Sequence, residues 1–270
     1  MSETIGFIGL GHLGLPLATN LLSAGYALRV YNRTVSKAEP LVDRGAHLAI
    51  RPVDVVTTGG IVATIVWDDA ALESVVTSDG FFERLGPGGI HLSMSTVSPE
   101  TSKKLAALHA QHGSAYVAAT IFGRPEAAVA RQLWMPIAGP QHAKERVQPL
   151  LEAMGAQGIF DFGEEAGAAN IVKLVGNFLI TSAGYSLREA LRMAEKNGVD
   201  PKAVVNMLTS TLLSAPIYQS YGKRIAEGTA PFSQNAIPRK DVGLFKTNAQ
   251  QVEAPTPIAR LLFDLLNSEG

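Results

Sequence analysis

The feature that most constrains the fold is the opening run Ile5-Gly-Phe-Ile-Gly-Leu-Gly-His-Leu-Gly14, where the glycines at 9, 11 and 14 form G-x-G-x-x-G. A glycine string alone says little in a chain with 26 glycines among 270 residues. Its setting says more. Ile5 to Ile8 is a short apolar strand, and Leu15 to Leu22 repeats apolar residues at helical spacing, so the glycines join a strand to a helix. There Gly9 permits the tight turn, Gly11 leaves room for a diphosphate against the backbone, and Gly14 lets helix and strand pack closely. The free N–H groups of the first helical turn then face the anion. Gly9, Leu10, Gly11, His12, Leu13 and Gly14 are therefore the expected dinucleotide loop, His12 through its backbone rather than its ring. The competing reading is a structural turn without ligand.

Ala27 to Tyr31 reads as a strand that tolerates an edge position, and an NAD-specific site places Asp or Glu at its end, about twenty residues after the glycines. Here the residues are Asn32-Arg33-Thr34. An acid would repel a 2′-phosphate, whereas Asn and Thr donate hydrogen bonds to one and Arg pairs with it. The expectation is NADP (NADPH) rather than NAD. The alternative for Arg33 is a solvated surface charge.

Lys and Arg number 23 against 24 Asp and Glu, so no bulk field collects nucleic acid or an anionic membrane. Neither partner is expected. With 46% hydrophobic residues the chain has ample material for a core. It has no cysteine, which removes disulfides, thiolate metal sites and cysteine nucleophiles and suits a reducing compartment. The six histidines show no metal-ligand spacing, so no metal is expected. Ser98 has no nearby His–Asp partner for a hydrolase triad. Met1-Ser-Glu-Thr-Ile lacks a basic segment and no apolar run of about eighteen residues is present, so the expectation is a cytoplasmic protein without a signal peptide or membrane span.

The pattern then alternates. Helices are expected at Ser36 to Arg44 and from Arg51-Pro52-Val53 to Gly59-Gly60, with a short strand between them at Ala46 to Ile50. Ile61 to Val66 is a β-branched run of the kind found in parallel strands covered on both faces, and it ends at Trp67-Asp68-Asp69, a helix cap. Val66 and Trp67 should lie beside the cofactor, because open parallel sheets bind ligands at the carboxyl ends of their strands. A strand at His91 to Ser95 leads to Thr96 and to Ser98-Pro99, an N-cap with Pro at the first helical position. Ser95 and Thr96 fall on the same ligand side. Further strands are expected at Ala115 to Ile121, Met135 to Ala138 and Gln157 to Phe162, with helices at Glu126 to Arg131 and His142 to Met154. From Ala166 to Asn197 nothing as strong as Pro or Gly-Gly interrupts a helical pattern, and all that follows reads as helical. The fold class is α/β: a Rossmann dinucleotide-binding domain over residues 1–163, then an all-helical domain over 164–270 for substrate binding and dimerisation, joined by a long helix.

A dinucleotide fold supplies hydride; the proton must come from a side chain. Lys173 and Asn177 lie four apart on the long helix and share a face. Flanked by Ile171, Val172, Leu174 and Val175, Lys173 is expected to be partly desolvated, which lowers a lysine pKa toward a range useful for proton transfer. Spacing alone leaves two roles open: a proton donor to a carbonyl oxygen, with Asn177 holding substrate or lysine, or a lysine that snorkels from an amphipathic helix. Tyr218, Tyr221 and Phe232 read as core or dimer packing, with a pocket role as the alternative.

Four blocks in order resemble the β-hydroxyacid dehydrogenases, which include 3-hydroxyisobutyrate dehydrogenase and glyoxylate/succinic semialdehyde reductase. They are Gly6 to Pro16, Ser95-Thr96-Val-Ser-Pro99, Gly167 through Lys173 to Asn177, and Lys240-Asp241-Val-Gly243. The resemblance implies that Lys173 and Asn177 are catalytic and that Lys240 lies near the nicotinamide and substrate. With the NADPH expected from Asn32-Arg33-Thr34, it implies reduction of a small aldehyde, ketone or 2-oxoacid, and apolar residues on several faces of the long helix suggest a homodimer. One block departs. Where the family has Asp-Ala-Pro-Val-Ser-Gly-Gly, whose Ser-Gly-Gly holds the substrate carboxylate, this chain has Ala118-Ala-Thr120-Ile-Phe122-Gly123-Arg124. Thr120, Phe122, Gly123 and Arg124, with Ser95, are the expected substrate contacts. Either Arg124 replaces the lost donors as a charged anchor, or the pocket is apolar and takes a less charged carbonyl or imine. The second reading also resembles imine reductases, although Lys173 stands where those carry an acid or tyrosine. A catalytically idle NADP-binding protein and a phosphogluconate dehydrogenase are further alternatives, the latter disfavoured by the short chain and the lost polar loop. Family members usually continue past the position of Gly270 into another helix, so either a tail is missing or that helix is absent here.

Overall fold

The computed structural model describes residues 3–78, 80–229 and 236–268. It divides into two compact units, Met1–Lys173 and Leu174–Gly270. The first takes in the opening turns of the long helix, which the strand–helix pattern assigns to the helical half.

In the first unit, strands β1 (Thr4–Ile8), β2 (Ala27–Tyr31), β3 (His47–Leu48), β4 (Ile61–Thr64), β5 (Ile90–Ser93), β6 (Ala115–Ala119), β7 (Leu133–Ala138) and β8 (Ala156–Asp161) form one sheet in the order β3-β2-β1-β4-β5-β6-β7-β8. All neighbours are parallel except β6 and β7. The first helices are α1 (Gly14–Ser23), α2 (Glu39–Val42), α3 (Asp69–Val76), α4 (Phe81–Leu85), α5 (Pro99–Gln111), α6 (Pro125–Val129) and α7 (Gln141–Met154). Leu17, Leu21, Val147 and Leu151 of α1 and α7 fill one face of the sheet. Leu72, Val76, Phe81, Leu85 and Leu105 of α3, α4 and α5 belong to a second cluster with Ile8, Val62 and Tyr116. Burial on both faces is why β4 and β6 read as largely apolar runs, while β5 buries His91 and Ser93 as well.

Register positions the site. Ile8 pairs with Thr64, Thr64 with Ser93, and Ser93 with Ala118, so β1, β4, β5 and β6 end level and the segments after them leave one edge of the sheet.

Several expectations change. Ala27 to Tyr31 is not an edge, since β3 covers it and takes that place. The helix expected at Ser36 to Arg44 is a 3₁₀ turn, Val35–Ala38, and the single turn α2, with Pro40 supporting only a first turn. The helix expected from Arg51 is the 3₁₀ turn Pro52–Val55. Helix α4 has no cap signal in the sequence; it follows Gly80, which is left-handed at φ 82°. The caps expected elsewhere form. Asp68 accepts the N–H of Ala71 at 2.8 Å, and Ser98 that of Thr101 at 3.1 Å.

The second unit begins within α8 (Gly167–Lys196) and continues through α9 (Pro201–Ser210), α10 (Pro216–Ala226), α11 (Ala236–Gln251) and α12 (Pro257–Ser268). Helix α8 stops in a Schellman motif: Gly198 at φ 76° donates to Glu195 O and Val199 to Ala194 O. Tyr185, Val242, Leu262 and Leu266 form one cluster; Leu187, Leu191 and Val205 form another, against which Tyr218 and Tyr221 pack. A Cβ at Gly243 would stand 3.0 Å from Phe263, so glycine there lets α11 and α12 close on each other. Phe232 lies outside the described residues.

Between β4, β5 and α5 runs a buried polar chain. Thr64 Oγ1, His91 Nε2, His91 Nδ1, His109 Nε2, His109 Nδ1 and Ser114 Oγ connect through three contacts of 2.9 Å. Ser114 spends its proton on His109 O at 3.1 Å, so His109 Nδ1 must donate to Ser114. His109 Nε2 then accepts from His91 Nδ1, and His91 Nε2 accepts from Thr64. Both rings are neutral and carry the proton on Nδ1. Burial drives both imidazoles below their ordinary value of 6.5, aided at His91 by His109 and at His109 by His112, the latter ring to about 3. Below about pH 6.5 the unfolded chain binds protons that the folded chain refuses, so this stabilisation is complete above that pH and fades as pH falls toward the folded values. We expect the unfolding free energy from urea titrations to drop between about pH 7 and pH 4.5, by up to about 1.4 kcal/mol per pH unit for each ring. Imidazole NMR should show two Nδ1–H rings that do not titrate between about pH 5 and pH 8; an Nε2–H tautomer at His91 would contradict the chain.

Candidate active site

The three glycines meet three different tests. Gly9 has φ 99°, and a Cβ there would lie 2.1 Å from Ile65 O. A Cβ on Gly14 would lie 1.9 Å from Gly9 O. Both are required by the chain's own packing. Gly11 is not: its φ is not left-handed, and nothing in the chain lies within 4 Å of its Cβ position. The space over Gly11 is the kind that a diphosphate uses. Helix α1 has no side-chain cap and no acid in its first turn, and the N–H groups of Gly11, His12 and Leu13 bond to no other described residue. The loop therefore fits a dinucleotide diphosphate.

Asn32 has a role other than the expected one. Its Oδ1 accepts the N–H of Leu10 at 2.8 Å and its Nδ2 donates to Thr34 O at 2.8 Å, so the side chain braces the glycine loop instead of facing a 2′-phosphate. Arg33 and Thr34 are exposed at the end of β2, and Lys37 adds a second exposed cation in the turn that follows.

At the end of β4, the Val66 N–H donates to Ser95 Oγ at 2.9 Å, and Trp67 is 51% exposed. Ser95, expected at the substrate, is a buried bracket between the segments after β4 and β5. Thr96 is half-buried beside it. Thr120, also expected at the substrate, is fully buried and donates to Ala169 O at 3.1 Å. Phe122 forms a two-bond antiparallel bridge with Trp134, at 2.8 and 3.0 Å. Gly123 turns the chain at φ 151°, where a Cβ would stand 2.3 Å from Leu133. Arg124 is exposed, with its Nε 3.6 Å from Glu126 Oε2.

The opening of α8 is fixed to this edge by Asn170, a residue that sequence reasoning passed over. Asn170 Oδ1 accepts from Ser102 Oγ at 2.9 Å, and its Nδ2 reaches Ser95 O and Val97 O at 3.3 and 3.2 Å. One turn on, Lys173 Nζ donates to Ile121 O at 2.5 Å and stands 4.3 Å from the centroid of the Phe122 ring. The glycine loop, Val66, Thr96, Phe122 and Lys173 thus share the carboxyl edge of one sheet. In the second unit, Asn177 Nδ2 donates to Asp241 Oδ2 at 2.5 Å, and Lys240 Nζ lies 3.0 Å from Asp241 Oδ1. Asp241, 2% exposed, holds both expected residues and was also missed. The signal for Asn170 was its spacing, since 170, 173 and 177 form one helical stripe; for Asp241 it was only adjacency to Lys240. No group of three or more His, Asp or Glu side chains able to hold a metal occurs among the described residues, and no described helix is long and apolar enough to cross a membrane.

A sheet of this order, with a glycine loop at β1 and a lysine at the end of β6, defines a Rossmann-type NAD(P)-dependent oxidoreductase. Two family models match: the NAD binding domain of 6-phosphogluconate dehydrogenase over residues 4–174, and the NAD-binding domain of NADP-dependent 3-hydroxyisobutyrate dehydrogenase over residues 167–269. The chain belongs to the 3-hydroxyisobutyrate dehydrogenase family, the β-hydroxyacid dehydrogenases. It is 42% identical to the uncharacterized oxidoreductase YfjR of Bacillus subtilis, over 95% of this chain and 90% of that one. It is 30% identical to a 3-hydroxyisobutyrate dehydrogenase of Pseudomonas aeruginosa, over 97% and 91%. The fold matches that of a Mycobacterium tuberculosis 3-hydroxyisobutyrate dehydrogenase solved with L-serine, at a TM-score of 0.88 and 23% identity, covering 99% of this chain and 94% of that one.

The contrast among the glycines is open to direct measurement. Gly11→Ala should leave the melting temperature within about 2 °C of the parent, because the methyl meets no protein atom, while weakening NADPH binding by about tenfold or more. Gly14→Ala should lower the melting temperature itself. Equal NADPH affinity in Gly11→Ala, read by nucleotide fluorescence, would remove the diphosphate from this loop.

Proposed function

We propose that the protein is an NADPH-dependent reductase in which Lys173 is the general acid. The observation that best supports this is the amine of Lys173, directed to the end of β6 on the edge that carries the glycine loop. Bound NADPH supplies a hydride. The carbonyl carbon of the substrate accepts it, the Lys173 ammonium gives a proton to the carbonyl oxygen, and the alcohol leaves a neutral amine that solvent reprotonates. Asn177 follows one turn later with its amide oriented by Asp241, and in this reading it holds the substrate or the lysine. Lys240 shares that carboxylate, and the family resemblance gives it a role near the nicotinamide.

Arg33, Thr34 and Lys37 favour the 2′-phosphate of NADP over the free hydroxyl of NAD. The substrate is a small aldehyde, ketone or 2-oxoacid. Phe122 supports a second reading toward less charged carbonyls or imines, because its ring stands where a hydroxyl donor would hold a carboxylate and Arg124 already faces Glu126. The exposed apolar residues Leu179, Met193, Met207, Leu212 and Leu261 of the second unit suit a homodimer, and a cysteine-free chain suits the cytoplasm.

The experiment is a panel of aldehydes, ketones, 2-oxoacids and cyclic imines with NADPH and NADH side by side. Lys173→Ala should lower kcat by about 10²- to 10⁴-fold while the dissociation constant for NADPH stays near that of the parent; unchanged turnover would defeat the assignment. Arg33→Ala should raise the KM for NADPH by about tenfold and leave that for NADH in place. Parallel loss with both nucleotides would argue that Arg33 does not read the 2′-phosphate.

A further inference from the structure

We propose that Phe122 is a positioning residue for Lys173: its ring face and the Ile121 carbonyl together hold the ammonium in one place at the end of β6. This rests on the reading of Lys173 as the acid.

The ring lies 4.3 Å from Nζ, within the range where a cation is drawn to an aromatic face, and the Ile121 carbonyl takes a hydrogen from the same nitrogen at 2.5 Å. A lysine has four rotatable carbons and normally spreads its charge over many positions. Two contacts from adjacent residues remove most of that freedom. Both sides of the contact are themselves pinned by buried or bridging hydrogen bonds. On the ring side, Phe122 is bridged twice to Trp134, and the chain turns at once through Gly123 at φ 151°, where a Cβ would press on the Leu133 side chain. On the lysine side, Asn170 and the Thr120–Ala169 bond fix α8 within one turn of Lys173. The approach is therefore built into the backbone. A contact of this class changes an equilibrium by about two- to thirtyfold, enough to decide what fraction of ammonium groups is aimed. A serine at 122 offers a hydroxyl to a substrate and no face to a cation, so the change to Phe removes a substrate contact and adds an anchor for the acid.

Three variants separate these roles. Phe122→Tyr keeps the ring face, Phe122→Leu keeps apolar bulk without it, and Phe122→Ser supplies the hydroxyl. After reductive ¹³C-methylation of the full-length protein, the Lys173 methyl signal, assigned by its loss in Lys173→Arg, should be shifted upfield of the other lysines by the ring. It should keep that shift in Phe122→Tyr and lose it in Phe122→Leu and Phe122→Ser. With NADPH and the aldehyde turned over fastest by the parent, kcat should fall about tenfold in Phe122→Leu and recover to within about threefold in Phe122→Tyr, with the NADPH dissociation constant unchanged in both. A Lys173 signal among the ordinary lysines in the parent would overturn the proposal, as would equal kcat in the parent and Phe122→Leu. If Lys173→Ala keeps full turnover, the general-acid reading fails while the methyl shift still decides whether the ring holds the amine.

Discussion

The docking of the first turns of α8 onto the carboxyl edge of the sheet is what the rest depends on. Asn170 accomplishes it with three hydrogen bonds, to Ser102, Ser95 and Val97, at 1% exposure. An amide so buried leaves little choice, because each unmet group would cost about 1–3 kcal/mol. The helix therefore cannot slide or rotate without breaking several bonds at once. Once its position is fixed, the 3.6-residue repeat delivers Lys173 to the end of β6 with no further adjustment. Ser95 and Thr120, which look like ligands for a substrate, belong to this same fastening. They bind the segments after β4 and β5 together and tie β6 to the helix.

What was legible in the sequence follows from how local each signal is. The glycine loop, the β-branched run at Ile61, the Ser98-Pro99 cap and the uninterrupted stretch to Asn197-Gly198 are determined by neighbours within a few residues, and each reads correctly. The short pieces after β2 do not, because a single helical turn is stabilised by what it packs on and carries no period of its own. The antiparallel entry of β7 was hidden for a related reason: Arg124 to Gln132 holds only the five-residue α6, too short a crossover for a parallel return. At the site, Lys173 was visible from spacing and resemblance together. The bonds that Asn32, Ser95 and Thr120 make within the fold were not legible, because a polar side chain at a strand end serves a ligand or the fold, and only coordinates show which bonds it already makes.

Asn32 illustrates how function survives that change of role. Its carboxamide takes the place of a charged acceptor at the end of β2 and accepts the N–H of Leu10, which ties the glycine loop to the end of that strand. An aspartate could accept the same bond, but its charge would oppose a 2′-phosphate nearby. The amide keeps the brace and removes the repulsion, leaving Arg33 and Lys37 as the charges that face outward from that turn.

The same logic applies at the other end of the edge. A catalytic lysine needs its amine aimed and its charge tolerated before any substrate arrives. A carbonyl oxygen and an aromatic face both attract an ammonium. Ile121 and Phe122 supply that pair on consecutive residues, so the geometry that holds the Lys173 amine is set in part by one bend of backbone at the end of β6.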